Sequence, residues 1–111
     1  MHARTPEGRA EAWVSGMQSL VHTCDVEMKR CTAATCPMPK GLAREYAATF
    51  ASKAALFKRT KNTIEKVLSG KLETDLGRVM MDAENAVAAL KEEASRFRSL
   101  LKSYEKAAKK V

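Results

Sequence analysis

Apolar residues recur every three or four positions through the last third of the chain. This spacing places one apolar stripe along an α-helix. The steps alternate between three and four, as in a heptad repeat, except for an extra step of four at Val87 that predicts a stutter. We expect a helix over about residues 73–109 with Leu90 and Phe97 in the core. The series comprises Leu72, Leu76, Val79, Ala83, Val87, Leu90, Ala94, Phe97, Leu101, Tyr104 and Ala108.

A similar stripe near the amino terminus predicts a first helix over about residues 6–35. The sequence Thr5-Pro6-Glu7 is typical of a helix start, because it supplies a capping hydroxyl, a first-turn proline and an acidic group. The residue before a proline avoids helical geometry, so Pro37 and Pro39 end the pattern. The apolar positions are Trp13, Met17, Leu20, Val21, Cys24, Met28 and Cys31.

The middle of the chain predicts a second helix, over about residues 41–69, with Gly70 as its carboxyl-terminal cap. The two short connections favour an all-α fold, an antiparallel up-down-up bundle of three long helices within one domain, residues 1–111. Gly70 is the only strong break after Leu42, so helices two and three could instead run on as one helix. The alternative fold is then a helix hairpin, with helices two and three fused, that is completed by dimerisation. Charge favours the bundle, because antiparallel packing of helices two and three sets the basic residues of 58–71 beside the acidic residues of 73–84.

The cysteines and a nearby histidine do not form a metal-binding pattern. The sequence Cys31-Thr-Ala-Ala-Thr-Cys36 leaves four residues between its thiols, and Cys24 precedes Cys31 by seven positions. Structural zinc sites usually have ligands in pairs two to four residues apart, and His22 projects almost opposite Cys24 on the helix. Cys31 and Cys36 can approach each other only if the helix end unwinds. We therefore expect no metal, no cofactor and no disulfide, with Cys24 and Cys31 in the core.

Catalytic patterns are also missing from the sequence. Ser69-Gly70-Lys71 lacks the upstream glycine of a phosphate-binding loop, and the pairs Glu92-Glu93 and Glu73/Asp75 are typical of solvated helix faces. We expect no enzymatic activity and no small-molecule substrate. The sequence has no apolar stretch long enough to span a bilayer and no secretory signal pattern, so we expect an intracellular protein, cytoplasmic or nuclear.

Two lysines interrupt the apolar stripe of the second helix. Lys53 and Lys61 are flanked by aromatic and aliphatic residues, so their stems either pack on the core with the charged tips in water or lie at the rim of an interface. We take this stripe as the candidate partner face, for another protein or a second copy of the chain. It comprises Tyr46, Phe50, Lys53, Phe57, Lys61 and Ile64.

Basic residues form a stripe beside the apolar positions of the third helix. The chain carries a formal net charge of +7, and residues 94–111 hold six basic side chains against one acidic one. A solvated face is the commonest reason for such a pattern, and binding to anionic lipid or nucleic acid is the functional alternative. The candidate anion-binding stripe comprises Lys91, Arg98, Lys102, Lys106 and Lys109.

The sequence EAWVSGMQSL around Trp13, within three helices of about thirty residues, resembles the first helix of a spectrin-type repeat. The matching tryptophan pattern of the third helix is absent. The long basic helices are similar to BAR-type membrane-binding coiled coils. From the amphipathic helices and the missing catalytic patterns, we expect a non-enzymatic helical interaction or scaffold module that presents helix faces to a protein partner or to itself. The alternative is a basic helical domain that associates with an anionic membrane surface or with nucleic acid.

Overall fold

Each of the three apolar stripes lies on a helix. In a computed structural model, which describes residues 5–109, the helices are α1 (Pro6–Thr32), α2 (Lys40–Leu68) and α3 (Leu76–Lys109). The Oγ1 atom of Thr5 accepts a hydrogen bond from the Gly8 N–H at 3.0 Å, so α1 begins at its predicted cap. The expected all-α fold is confirmed.

Contacts between the helices fix their directions. The indole N–H of Trp13, near the start of α1, donates to the carbonyl oxygen of Ala83, near the start of α3, at 3.0 Å. Phe50 of α2 packs edge-on against Phe97 of α3, with ring centroids 5.5 Å apart. The start of α2 therefore lies beside the end of α3, and the three helices run up, down and up in a bundle measuring 59 × 25 × 18 Å.

The interior is filled from all three stripes. Leu90 and Phe97 are 1% and 0% exposed, which confirms their predicted core positions. The pair of α1 and α2 has the most extensive contacts. The largest apolar side chains with no exposed area or almost none are Phe50, Phe57, Phe97, Ile64, Met80 and Leu90.

The stutter predicted in α3 is wrong. Met80 is fully buried, whereas Val79 is only partly buried. With Met80 in the series, the steps alternate between four and three through Val87 without interruption. Methionine is flexible enough to fill an irregular space between helices, so it takes the inner position beside a smaller neighbour.

α3 begins at Leu76, three residues later than predicted. The Oδ1 atom of Asp75 accepts a hydrogen bond from the Gly77 N–H at 3.0 Å and so satisfies a free backbone donor at the helix start. Leu72, which was assigned to the apolar stripe, lies outside the helix and is 40% exposed. Asp75 is thus a capping residue.

A glycine turn separates α2 from α3, so the alternative of one fused helix is wrong. Gly70 adopts a φ of +80°. Its N–H donates to the carbonyl of Val67, and the N–H of Lys71 donates to the carbonyl of Lys66, which together form a Schellman motif. Glycine is favoured at this position because it lacks the Cβ that makes a positive φ costly.

α1 ends at Thr32, before the predicted boundary near residue 35. Ala33 is already extended, and the N–H of Cys36 donates to the carbonyl of Ala33 at 3.0 Å. Residues 33–39 are needed to cross from α1 to α2, and Met38 buries its side chain beneath this crossing. Pro37 disfavours helical geometry at Cys36, but α1 already ends at Thr32, four residues earlier, because the chain must turn there towards α2.

The expected charge pairing between α2 and α3 does not form among the described residues. Lys61 pairs with Glu65 of its own helix, and Glu84 pairs with Arg9 of α1. The hydrogen bond from Arg9 lowers the pKa of the Glu84 carboxyl. The start of α1 lies beside the start of α3 and supplies the cation that was expected from α2.

Two glycine-to-alanine changes should have opposite effects on stability. Gly70→Ala places a Cβ at a positive φ and should lower the free energy of unfolding by about 1 kcal/mol. Gly16→Ala lies inside α1, where an added Cβ meets no atom within 4 Å, and should raise it by roughly 0.5–1 kcal/mol. Denaturant titrations measure both changes. A stabilising Gly70→Ala would contradict the turn and favour a continuous α2–α3 helix.

Candidate functional site

The positive charge of the molecule is concentrated at one end of the bundle. We call this part the basic end and define it as residues 25–47 with residues 96–109, which meet through contacts such as Tyr46 with Phe97. The basic end holds nine basic and four acidic residues, whereas the remaining described residues hold nine of each. The entire formal charge excess of residues 5–109 therefore lies there.

A buried glutamate lies at the centre of this basic end. Glu27 is 0% exposed and occupies an inner heptad position on α1, three residues after Cys24 and four before Cys31. Glu27 was not predicted as a core residue, because the predicted stripe of α1 contains apolar residues alone. The strict alternation of three and four residues along Ala10, Trp13, Met17, Leu20, Cys24, Glu27 and Cys31 is the signal that identifies the position.

Two arginines contact the Glu27 carboxylate. The Nε–H of Arg98 on α3 donates to Glu27 Oε2 at 3.1 Å. The Nη1 atom of Arg30 lies 3.2 Å from Oε1 but without hydrogen-bond geometry, so Oε1 accepts no hydrogen bond from residues 5–109. The arginine side chains are half-exposed, at 54% for Arg98 and 50% for Arg30. The buried carboxylate therefore fixes one edge of the Arg98 guanidinium by a hydrogen bond and attracts Arg30 by charge alone, and both arginine side chains reach the surface.

Arg30 and Arg98 line a cleft at the basic end. Its volume is about 480 Å³, and Lys102, one turn beyond Arg98 on α3, supplies a third cation. Glu105 also lines the cleft and contributes a carboxylate. The remaining lining residues come from α3 and from the crossing between α1 and α2: Leu101, Ala33, Thr35, Cys36 and Pro37.

The predicted anion-binding stripe is divided by this geometry. Arg98 and Lys102 line the cleft together with Arg30, which the sequence analysis did not include. Lys91 lies seven residues before Arg98, roughly 10 Å along the helix. Lys91, Lys102, Lys106 and Lys109 are all exposed, and within residues 5–109 none of them forms an ion pair.

The predicted partner face on α2 is not open in the folded chain. Phe50, Phe57 and Ile64 have no exposed area, because they fill the core against α1 and α3. Tyr46 is partly buried against Phe50 and Phe97. An apolar stripe that the chain covers itself cannot also be a free docking surface, so this face is corrected to core.

The two lysines of that face lie at the edge of the core. Lys53 and Lys61 are half-buried. The Lys61 Nζ atom lies 3.5 Å from Glu65 Oε1, and Lys53 borders a shallow groove with Leu56 and Arg59. Their stems pack while their charged tips reach water, so a partner can contact only this rim.

The cysteines do not belong to a metal-binding cluster, because residues 5–109 contain no group of three or more His, Cys, Asp or Glu side chains that could hold a metal ion. Cys24 and Cys31 are buried, and Cys36 is half-buried in the crossing. Burial raises the pKa of Cys24 above its usual value. Burial, with smaller contributions from Cys36 and Glu27, raises the pKa of Cys31 to about 11. Cys36 is thus the most accessible thiol of the three.

The sequence matches no protein-family model, no curated protein and no solved structure. Among the described helices, none combines the length and the apolar character that crossing a membrane requires.

A double-mutant cycle tests the energetic role of Glu27. Arg98→Ala should lower the free energy of unfolding by about 1–3 kcal/mol, because it leaves a buried carboxylate with one poorly aligned partner. In a Glu27→Leu background the same change should cost less than about 0.5 kcal/mol. Glu27→Leu itself should be neutral or stabilising, since it restores an apolar heptad position. Denaturant titrations provide all four values, with the unpaired Lys102→Ala as a control that shows little change in either background.

Alkylation should distinguish the three thiols. At pH 8, a thiol with a pKa of about 11 is ionised to only about one part in a thousand, so iodoacetamide should modify Cys36 first. Mass spectrometry of a time course measures the order, and equal rates at Cys31 and Cys36 would contradict it. The folded state also holds the Cys31 proton to a higher pH than the unfolded state. The free energy of unfolding should therefore fall as pH rises from the usual thiol pKa towards about 11.

Proposed function

We propose that this protein is a non-enzymatic helical interaction module that binds a protein partner through its basic end. The observation that carries the proposal is the charge distribution, with nine basic against four acidic residues at one end and balanced charge elsewhere. Complementary charge steers association and selects among partners. A partner with an acidic surface fits this end.

The distribution of exposed apolar residues favours a protein over a membrane. Among residues 5–109, the large apolar side chains with the greatest exposure are Leu56, Leu68, Leu72 and Met81. They lie in α2, the Gly70 turn and the start of α3, away from the basic end. Interfacial membrane helices combine basic residues with exposed apolar groups that enter the lipid, and here the two features are separated.

The aromatic residues also argue against a surface for single-stranded nucleic acid. The rings of Trp13, Phe50, Phe57 and Phe97 are buried, and Tyr46 and Tyr104, the two rings at the surface of the basic end, are only partly exposed. Stacking platforms for bases require exposed rings beside basic groups. Electrostatic association with an anionic membrane or with nucleic acid is the second candidate, favoured by the exposed lysines at the end of α3.

Self-association stays a prediction, but it no longer involves the α2 stripe as the contact surface. The α2 stripe is core, so a second copy would have to dock on the remaining surface. The balanced half of the molecule offers no excess charge to complement the basic end. A separate protein with an acidic surface is therefore the favoured partner.

Charge reversal at the end of α3 tests the proposal. The triple variant Lys102→Glu, Lys106→Glu and Lys109→Glu should melt nearly as the wild type does, because exposed charges contribute little stability. In-cell crosslinking should identify proteins attached to the wild type and absent from the variant. Each should bind the purified wild type at about 150 mM salt, with affinity that falls as salt rises.

The matched control is Lys58→Glu, Lys66→Glu and Lys71→Glu, which reverses three exposed lysines in the balanced half. The control should retain the crosslinked partners. If partners are unchanged in the first variant while vesicles or nucleic acid bind only the wild type at that salt, the second candidate replaces the proposal. Sedimentation of the wild type detects self-association, and so distinguishes it from binding to a separate protein and from binding to vesicles or nucleic acid.

A further inference from the structure

We propose that the cleft formed by Arg30, Arg98 and Lys102 receives a carboxylate side chain from an acidic segment of the protein partner. This inference rests on the proposed interaction function and specifies the contact point within the basic end. Arg30 of α1 and Arg98 and Lys102 of α3 line one concavity of about 480 Å³, a volume within the usual range of roughly 300–1,000 Å³ for binding pockets. Arg98 and Lys102 are thus the members of the longer basic stripe that share a cleft with a cation of another helix.

Glu27 holds the Arg98 guanidinium in position for this role. Its buried carboxylate holds Arg98 through Nε, which leaves both Nη groups of Arg98 without a hydrogen-bond acceptor among residues 5–109. A guanidinium presents its donors in a rigid fork that matches the two oxygens of a carboxylate. Because Glu27 already holds one edge of the Arg98 guanidinium, less conformational entropy of the Arg98 side chain is lost when its Nη groups bind an anion.

The charge of the cleft matches a carboxylate better than a phosphate dianion. The cleft lining holds three cations and the Glu105 carboxylate, and the buried Glu27 carboxylate contacts two of these cations, which leaves a single excess positive charge. Leu101, Ala33 and Pro37 supply apolar lining between the charged groups. The methylene groups of an aspartate or glutamate side chain can pack on this lining while its carboxylate reaches the guanidiniums.

The presence of Cys36 in the lining gives an independent reporter of occupancy. This thiol is half-buried and borders the same cleft as Lys102. A bound peptide should cover it and slow its alkylation. Cys24 is buried elsewhere in the core and should be unaffected by the peptide, so it serves as the internal control.

The test uses a fluorescent hexaglutamate peptide and anisotropy titrations of the full chain. Lys102→Ala should weaken binding about fivefold, whereas Lys106→Ala, one turn away and outside the cleft lining, should weaken it less than about twofold. Both variants remove one exposed lysine that forms no ion pair among the described residues, so their net charge and stability match. Arg30→Ala should resemble Lys102→Ala, with a thermal melt to show that the chain stays folded. Saturating peptide should also slow Cys36 alkylation in the wild type.

Equal losses in Lys102→Ala and Lys106→Ala would overturn the cleft and assign binding to diffuse charge. Failure of the peptide to bind, or to protect Cys36, would overturn it as well. Tighter binding of inorganic phosphate, or Lys102-dependent binding only to phosphatidylcholine–phosphatidylserine vesicles, would replace the carboxylate with another anion. The crosslinking comparison remains a separate readout. Crosslinked partners that persist in Lys102→Ala would remove this contact point while keeping the interaction function.

Discussion

The fold depends on one constraint, which is that each helix is apolar along a single stripe and needs two neighbours to cover it. A single helix of this kind would expose its stripe, and a pair would leave part of each stripe in water. The third helix closes the core. Trp13 reinforces this arrangement with a hydrogen bond to the backbone of Ala83, and its ring packs against Phe57 at 5.9 Å between centroids. One side chain thus contacts both neighbouring helices.

Glu27 is the exception within this apolar interior. A buried charge is costly unless it is paired, and a well-packed apolar residue at such a position is often at least as stable. Arg98 lies on the opposite helix, so the pair also favours one lengthwise alignment of α1 against α3. The same pair positions a guanidinium at the surface. Stability alone does not require Glu27 here, and an apolar residue could neither pair with Arg98 nor hold its guanidinium beside the cleft.

The sequence was sufficient to predict the helices, the order of their directions and the core positions of Leu90 and Phe97. Periodicity carries this information because it reports which side of a helix is buried. It could not choose between Val79 and Met80, since both are apolar and adjacent, and only the space left by the other helices decides. The α2 stripe was predicted correctly as apolar but interpreted wrongly as a partner face. Burial within the chain and burial against a partner leave the same pattern. The cleft depends on Arg30 and Arg98 meeting across 68 positions of sequence, which no local pattern reports.

An odd number of helices has a mechanical consequence for this module. Thr5 and Lys109 lie at opposite ends of a body that measures 59 Å along its longest axis. Tension applied through these two points acts parallel to the helix axes, so the interfaces are loaded in shear and many side-chain contacts resist together. A two-helix or four-helix bundle would bring both points to one end, where the same tension peels the helices apart contact by contact. The three-helix arrangement therefore resists tension along its length better than a bundle with an even number of helices would.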